Sequence, residues 1–592
     1  MEFIYKNIYV KGMFNIERYN NRCKKTIKLF NKYNVKIYIL IIFFSISTIL
    51  LRAFIPFIYG SIINKISQFQ EKGFWEFLVI YLLFITLILF FSNIEQYLKF
   101  YYTTDVCKKI KNDIFNHILY AKIAELKGLT SSDCISRLEM DIDQIVSFVV
   151  QLGCTLIFII INFLISVIYI LHLNLTLSIL CFFFLPSTSL VFLFFKSKIK
   201  KNAEFSRIII DKYYGIINEA IENLCSIKCF QLENIISLKF NKIMDSRFNN
   251  LIEKQKIYMY LGVINDCLSN SFTILIIIIA ARLIFIHRLT LGDLISFNMY
   301  VSMLYQSIKQ FQGIKSEYQI FSISINRIEA LYAMSKEGTD KLIKELPISD
   351  IKEINIKNVY FKYFSKREIQ KYILNNISCT FVKGFNSIVG RNGCGKTTLA
   401  RILLGLYTID KGDIYINKNN YNFMNIKTIR NEITYISKDC FILNDTIYNN
   451  ISIINNNLKE SDIENICKIV QLHEQINELP NQYNTILGQK GVDFSSGMKQ
   501  KLNFARAIAR NRKIIILDEV TSDLDGEYEL KIVEIIKRMS KTHIIISITH
   551  KFATVVKSDK IFVMDKGTII DEGTYTYLIK NNSIFQELFK DN

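Results

Sequence analysis

Six apolar stretches in the first 310 residues constrain this chain more than any other feature. They cover 37–59, 77–94, 145–171, 175–195, 267–286 and 294–308. A bilayer core takes about 20 apolar residues as helix, so each stretch reads as a membrane span. The first is interrupted by Arg52 and the last is short. The connections alternate: 60–76, 172–174 and 287–293 are short with few Lys or Arg, whereas 95–144 and 196–266 are long, helix-patterned and basic. Basic connections stay in the cytoplasm, which places them there together with the basic start, 1–36. An even number of spans returns the chain to the same side. No cleavable signal peptide is expected, because the first apolar run is too long and lacks a small-residue cleavage site.

At 592 residues the chain exceeds the usual single domain. The expected division is a transmembrane domain over 1–333, a polar linker over 334–350 holding Pro347, and a soluble α/β domain over 351–592. A net charge of +20 could point to nucleic acid. Here much of it flanks the apolar runs, where topology accounts for it, and no nucleic-acid role is expected. The twelve Cys residues contain no C-x-x-C pair. Cys225 and Cys229 could share a helix face, but no second pair follows, so a zinc site is not expected and the thiols are read as reduced.

Arg52 and Arg282 lie within apolar runs, where a central charge costs roughly 2.5–3.5 kcal/mol. They could line a cavity for an anionic group. The favoured reading is that both sit toward the outer ends of their spans and reach the headgroups. Asn162, Asn265, Asn270, Asn298 and Gln306 are candidates for the wall of a translocation path or for helix–helix hydrogen bonds.

Beyond residue 351 the pattern changes to short strands, Gly turns and amphipathic helices. The string GRNGCGKTT over 390–398 fits G-x-x-x-x-G-K-[ST], a loop that wraps a nucleotide phosphate tail. A strand-type apolar run, 385–389, precedes it, and 399–406, apolar at helical spacing, follows. Glycines let the backbone approach the phosphates, and the helix N-terminus adds its dipole. Alone, the match reads as a P-loop NTPase and says little about what hydrolysis drives. Downstream, KIIILDE over 513–519 is a buried-strand pattern ending in two acids, at the strand end where α/β sheets bind ligands. Asp518 would hold Mg²⁺, directly or through water, and Glu519 would polarise the attacking water. Cys394 lies inside the phosphate loop, where alkylation is expected to block nucleotide binding.

The string DFSSGMKQKLNFARAIAR over 493–510 resembles the signature region of the ATP-binding cassette (ABC) family. The resemblance covers nearly the whole chain, which looks like a half-transporter of the type IV exporter class. It implies a multidomain fold: an all-α transmembrane domain of six helices, then an α/β P-loop NTPase cassette. It also implies ATP and Mg²⁺, and a second half-transporter, identical or different, docked head to tail so that each ATP lies between one phosphate loop and the partner's signature loop. Tyr363 matches the residue that stacks on adenine. Lys396 would contact the β- and γ-phosphates and Thr397 would ligate Mg²⁺. Gly390, Asn392, Gly393, Gly395 and Thr398 complete the cradle. Ser495 and Gly497 would reach the γ-phosphate in trans. Asp525, in SDLD over 522–525, matches the loop coupling the two sites, and His550 matches the switch histidine.

Three positions depart from the family pattern. Lys438 stands where a glutamine is expected, and an ammonium has no acceptor for the Mg²⁺ shell; it could pair with a phosphate or face away. The signature reads FSSGM over 494–498, and Gln489 replaces a glutamate before it. These departures leave the chain's own hydrolytic residues intact and make a heterodimer a live alternative to a homodimer. Segments near 121–129 and 213–221 are the expected cytoplasmic loop ends that rest on the cassettes. The resemblance places the protein in a bacterial cell membrane, among its lipids. A start of 36 residues is too short for a leader-cleaving peptidase, so a processing exporter is disfavoured. The expected cargo is a bacteriocin-like peptide, with a lipid or drug next and a non-transporting sensor or immunity protein as the reading of another class.

Overall fold

The computed structural model describes residues 35–126, 129, 131–338, 351–363, 371–438, 440–455, 457–488, 491–521 and 526–589. The basic start up to residue 34, most of the linker, Gln489 and the run 522–525 with Asp525 lie outside the described residues. Two compact units form, one within 1–115 and 132–330, the other within 116–131 and 331–592.

In the first unit six long helices carry the six apolar runs: α1 (Val35–Ser67), α2 (Glu71–Leu119), α3 (Ile142–Leu173), α4 (Leu175–Glu222), α5 (Glu233–Phe285) and α6 (Leu291–Tyr332). Among the described residues, four helices are long and apolar enough to cross a membrane: α1, α2, the helix Asp133–Leu173 that runs into α3, and α5. The runs 175–195 and 294–308 lie in α4 and α6. The helices outlast their apolar parts because a helix needs satisfied backbone, not apolar side chains. Past its apolar run, α2 carries the i,i+4 pairs Glu95–Lys99 and Asp105–Lys109, which support a helix on its polar stretch. The tight α3–α4 corner is set by Asn174, whose side-chain Oδ1 accepts from Thr176 N and Leu177 N at the head of α4.

Helices α1 and α6 meet backbone to backbone. A Cβ on Gly60 would lie 2.5 Å from Gly292 O, and one on Gly292 would lie 2.0 Å from Gly60 O, so only glycine permits this approach. Gly292 N donates to Asn64 Oδ1 at 2.8 Å, Ser296 Oγ to Pro56 O at 2.8 Å and Tyr300 OH to Ala53 O at 3.0 Å. Pro56 lies inside α1 and interrupts its ladder; the donors from α6 arrive at that stretch. Asn162 is buried and its Nδ2 donates to Phe158 O within its own helix. Arg282 is exposed in the last turn of α5. Arg52 is exposed as well and borders a cavity.

The second unit holds two sheets. A four-stranded antiparallel sheet runs in the order β2 (Leu374–Val382), β1 (Glu353–Phe361), β4 (Lys411–Ile416), β5 (Asn419–Asn420). A six-stranded sheet has the order β10-β9-β3-β8-β7-β6, from β3 (Gly384–Val389), β6 (Ile433–Ser437), β7 (Ile514–Asp518), β8 (Ile544–Ile548), β9 (Lys560–Asp565) and β10 (Thr568–Gly573). All its pairings are parallel except β10 with β9. Alternate residues face opposite sides: Ile514, Ile516 and Ile546 pack with Leu399 and Ile402, whereas Ile515, Leu517 and Ile545 pack with Leu502, Ala505 and Ile532. With both faces covered, the central strands read as unbroken apolar runs.

The segment 116–131 belongs to this second unit. Ala121 bridges Lys336, Lys122 N donates to Ser335 O at 3.0 Å, and Ser335 N donates to Glu125 Oε2 at 2.9 Å. Glu337 in turn accepts from both terminal nitrogens of Arg430 at 2.6 and 3.0 Å. The other expected loop end, 213–221, lies within α4 and stays in the first unit.

Candidate functional site

Three neighbouring parallel strands, β3, β8 and β7, end at the same edge of the sheet, and each delivers part of the site. From β3 the chain turns through Gly390–Gly395 into α7 (Lys396–Leu403). The turn needs its glycines: a Cβ on Gly390 would lie 2.0 Å from Met564 O, and Gly395 sits at φ +109 with Leu374 Cδ2 2.8 Å from such a Cβ. Asn392 and Gly393 form the exposed tip. Lys396 is buried, and its Nζ donates to Gly390 O at 2.7 Å and Arg391 O at 3.1 Å. Burial pushes its pKa down, with Cys394, Glu519 and Asp518 pulling the other way.

Strand β7 ends in Asp518, 7% exposed. Its Oδ1 accepts from Thr397 Oγ1 at 3.2 Å and its Oδ2 from Tyr435 OH at 2.9 Å. Burial pushes its pKa up against those two donors. Glu519 follows at φ 52, a left-handed conformation costing roughly 1–3 kcal/mol for a side chain of this kind. Its N–H donates to Ile548 O at 2.9 Å. After β8 comes His550, whose Nε2 stands 3.8 Å from Glu519 Oε1. Burial, then the Lys396 charge, lower the pKa of His550, with Glu519 opposing, so the ring is neutral near pH 7.

Tyr363 OH is 3.1 Å from Thr398 Oγ1, and its ring meets Phe361 and Tyr407 edge-on at 5.0 and 5.1 Å. The Arg401 guanidinium on α7 lies near the Tyr363 and Tyr435 side chains and acts on both electrostatically. A polar circuit behind the phosphate loop thus couples α7, β6 and β7: Tyr363 with Thr398, and Tyr435 and Thr397 with Asp518, with Arg401 beside both tyrosines. Sequence reading missed Tyr435 and Arg401. Their only sequence signal is a tyrosine in one strand and an arginine in the loop-following helix; strand order, which places β6 beside β7, is not local information.

The structure gathers Tyr363, Gly390, Asn392, Gly393, Gly395, Lys396, Thr397, Thr398, Asp518, Glu519 and His550 at this edge. Lys438 is exposed just past the end of β6. Ser495 caps α8 (Ser496–Arg510) by accepting from Met498 N at 3.3 Å, and a Cβ on Gly497 would meet open space. Among the described residues no hydrogen bond links Ser495 or Gly497 to the phosphate loop. The residues fit Mg²⁺-ATP. Hydroxyl and carboxylate oxygens of Thr397 and Asp518 are the hard donors Mg²⁺ prefers. The glycine turn leaves a backbone cradle no side chain fills, and Lys396 supplies a buried cation.

Comparison with known proteins agrees with this geometry. The family described as ABC transporter transmembrane region matches residues 38–308, and the one described as ABC transporter matches 374–522. A protein of Rickettsia typhi, named as an export ATP-binding/permease protein, is 30% identical over 537 residues, 86% of this chain and 89% of its own length. An ATP-dependent lipid A-core flippase of Pseudoalteromonas translucida is 26% identical, over 84% of this chain and 86% of its own. The solved structure of a bacterial Atm1-family ABC exporter with ATP bound superposes with a TM-score of 0.78 at 19% identity, covering 94% of this chain and 97% of that one; that likeness is one of fold. The chain therefore belongs to the ABC exporters, integral membrane proteins, with its transmembrane region and its ATP-hydrolysing cassette in one polypeptide.

Proposed function

We propose that the protein is one half of a dimeric exporter in a bacterial cell membrane. Its N-terminus and cassette are cytoplasmic, and ATP hydrolysis drives a peptide outward by alternating access. One observation carries the proposal: β3, β7 and β8 bring a phosphate loop, two acids and a histidine to one sheet edge, in a chain that also carries six long helices. Lys396 and the loop amides hold the phosphate tail, and Thr397 and Asp518 hold Mg²⁺, which offsets phosphate charge when bound. Glu519 takes the proton of the attacking water, and His550, its Nε2 3.8 Å from Glu519 Oε1, orders that water. Tyr363 meets the adenine. Ser495 and Gly497, which among the described residues make no hydrogen bond to this phosphate loop, serve the partner's nucleotide; Asp525 couples the two sites.

ATP closure of the cassettes moves segment 121–129, and with it the helices. The partner is a second copy or a related chain with a regular signature loop. Cooperative, Glu519-dependent ATPase from the purified chain alone would establish the first. Glu519→Gln is expected to keep ATP binding, lose turnover and accumulate the closed dimer. ATP-driven uptake of peptide into inside-out vesicles tests the direction. Wild-type turnover in the variant would remove Glu519 from its role, and ligand-stimulated ATPase without uptake would replace export by sensing.

A further inference from the structure

We propose that Glu337 is the link through which nucleotide-driven movement of the cassette enters α2, with Arg430 as the residue that positions it. The inference rests on the export reading and names the route by which the nucleotide reaches the helices. One residue here bonds both sides. The Glu337 N–H donates to Tyr120 O at 2.8 Å, just past the end of α2. Its carboxylate is held by both terminal nitrogens of Arg430, at 2.6 and 3.0 Å.

The α2 side is clipped by backbone. Ala121 bridges Lys336, Lys122 N donates to Ser335 O at 3.0 Å, and His117 Nε2 lies 3.0 Å from Met334 O. From Glu71 to Leu119 α2 runs without a break for 49 residues, about 70 Å of helix. A displacement at residues 335–337 therefore enters a long, stiff element at its end.

The cassette side meets the nucleotide machinery at three points. Arg430 Nε donates to Leu404 O at 3.0 Å and its Nη2 to Gly405 O at 3.1 Å. The guanidinium thus caps the end of α7, whose first residues are Lys396 and Thr397. The Arg430 carbonyl accepts from Arg510 Nη2 at 2.8 Å, on the last residue of α8, which Ser495 caps at its head. Further along the chain, in β6, Tyr435 holds Asp518. Movement at the phosphate loop, at the signature helix or at Asp518 reaches Arg430 through short, packed pieces. Only a planar fork of donors makes the side-chain bonds to Leu404, Gly405 and both Glu337 oxygens at once; a lysine ammonium could not. The pair is half-buried, with side chains 31% and 19% exposed, so salt screens it less than a surface pair.

The chain has one tryptophan, Trp75, exposed in the first turns of α2, which reports on the helix end opposite the link. The test uses the full-length protein in detergent micelles, which carry no tryptophan, and reads Trp75 emission and bound radiolabelled ATP over one range of Mg²⁺-ATP. In the unaltered protein ATP is expected to change Trp75 emission. Glu337→Ala frees the carboxylate's place but leaves the N–H on Tyr120 and Arg430 on α7. It is expected to keep ATP affinity within about twofold, as a substitution away from the site does. The Trp75 change should fall roughly fivefold or more, the low end of coupling factors between sites. Glu337→Gln, which keeps one acceptor for Arg430, should fall between. A Trp75 response in Glu337→Ala equal to that of the unaltered protein overturns the proposal, as does a Trp75 silent to ATP in the unaltered protein. Parallel loss of ATP binding and Trp75 response in both variants overturns it too, because Glu337 would then serve the fold and not the link. Failure of the unaltered protein to bind ATP would instead bring down the export reading, and this link with it.

Discussion

Replacing Tyr435 with Phe removes one oxygen atom and probes whether the circuit behind Asp518 sets the Mg²⁺ affinity of the cassette. The lost donor bonds Asp518 Oδ2 at 2.9 Å. Because Asp518 is 7% exposed, water does not take its place. A hydrogen bond to a charged group contributes about 1.5–3 kcal/mol, and about 1.4 kcal/mol is a factor of ten. The apparent Mg²⁺ affinity should therefore fall roughly tenfold to a hundredfold, the span typical when the partner behind a metal ligand is removed. The sign with pH follows from Asp518 itself. Burial raises its pKa and the tyrosine opposes that rise, so deleting the hydroxyl raises it further and the defect deepens toward acid pH. The assay is ATPase rate against free Mg²⁺ at saturating ATP, at neutral and at mildly acidic pH. The half-saturating Mg²⁺ should move while the maximal rate is recovered at high Mg²⁺. Superimposable curves for the variant and the unaltered protein would refute the reasoning.

Two further outcomes follow from the site. Cys394 is 5% exposed and burial pushes its thiol pKa up, so it should react slowly: alkylation of the native protein, mapped by peptide mass spectrometry, should modify exposed Cys225 and Cys229 before it. Forced labelling of Cys394 should then abolish nucleotide binding, and full ATPase with Cys394 modified would count against the loop's role. For His550 the pKa lies below the ordinary 6.5. A lowered pKa means the ring stays neutral as pH falls through 6.5, so the acid limb of the ATPase profile should lie below that value; a midpoint above 6.5 would contradict a neutral catalytic imidazole.

The parts of the site that are contiguous in sequence were legible, because local strings carry local geometry. Strand, glycine turn and helix around residues 384–403 follow from glycine spacing and apolar periodicity. What joins those strings is not local. That β8 lies between β3 and β7, and so inserts His550 beside Glu519, is a matter of strand order. The left-handed φ of Glu519 breaks a rule that residue type alone would predict kept. The apolar runs located the spans but not the helix ends, because pairs such as Glu95–Lys99 extend α2 on polar residues. Arg52 shows the same limit: that it borders a cavity follows from the packing of α1 with α2, α3 and α6, which its own run does not encode.

The seam between α1 and α6 has a mechanical consequence. Glycine contact at Gly60 and Gly292, together with the bonds from Asn64, Ser296 and Tyr300, ties the two helices over several turns. Any motion that parted them would have to break all three bonds and expose backbone carbonyls beside Pro56. Along this seam, then, α1 and α6 travel as one stiff strut.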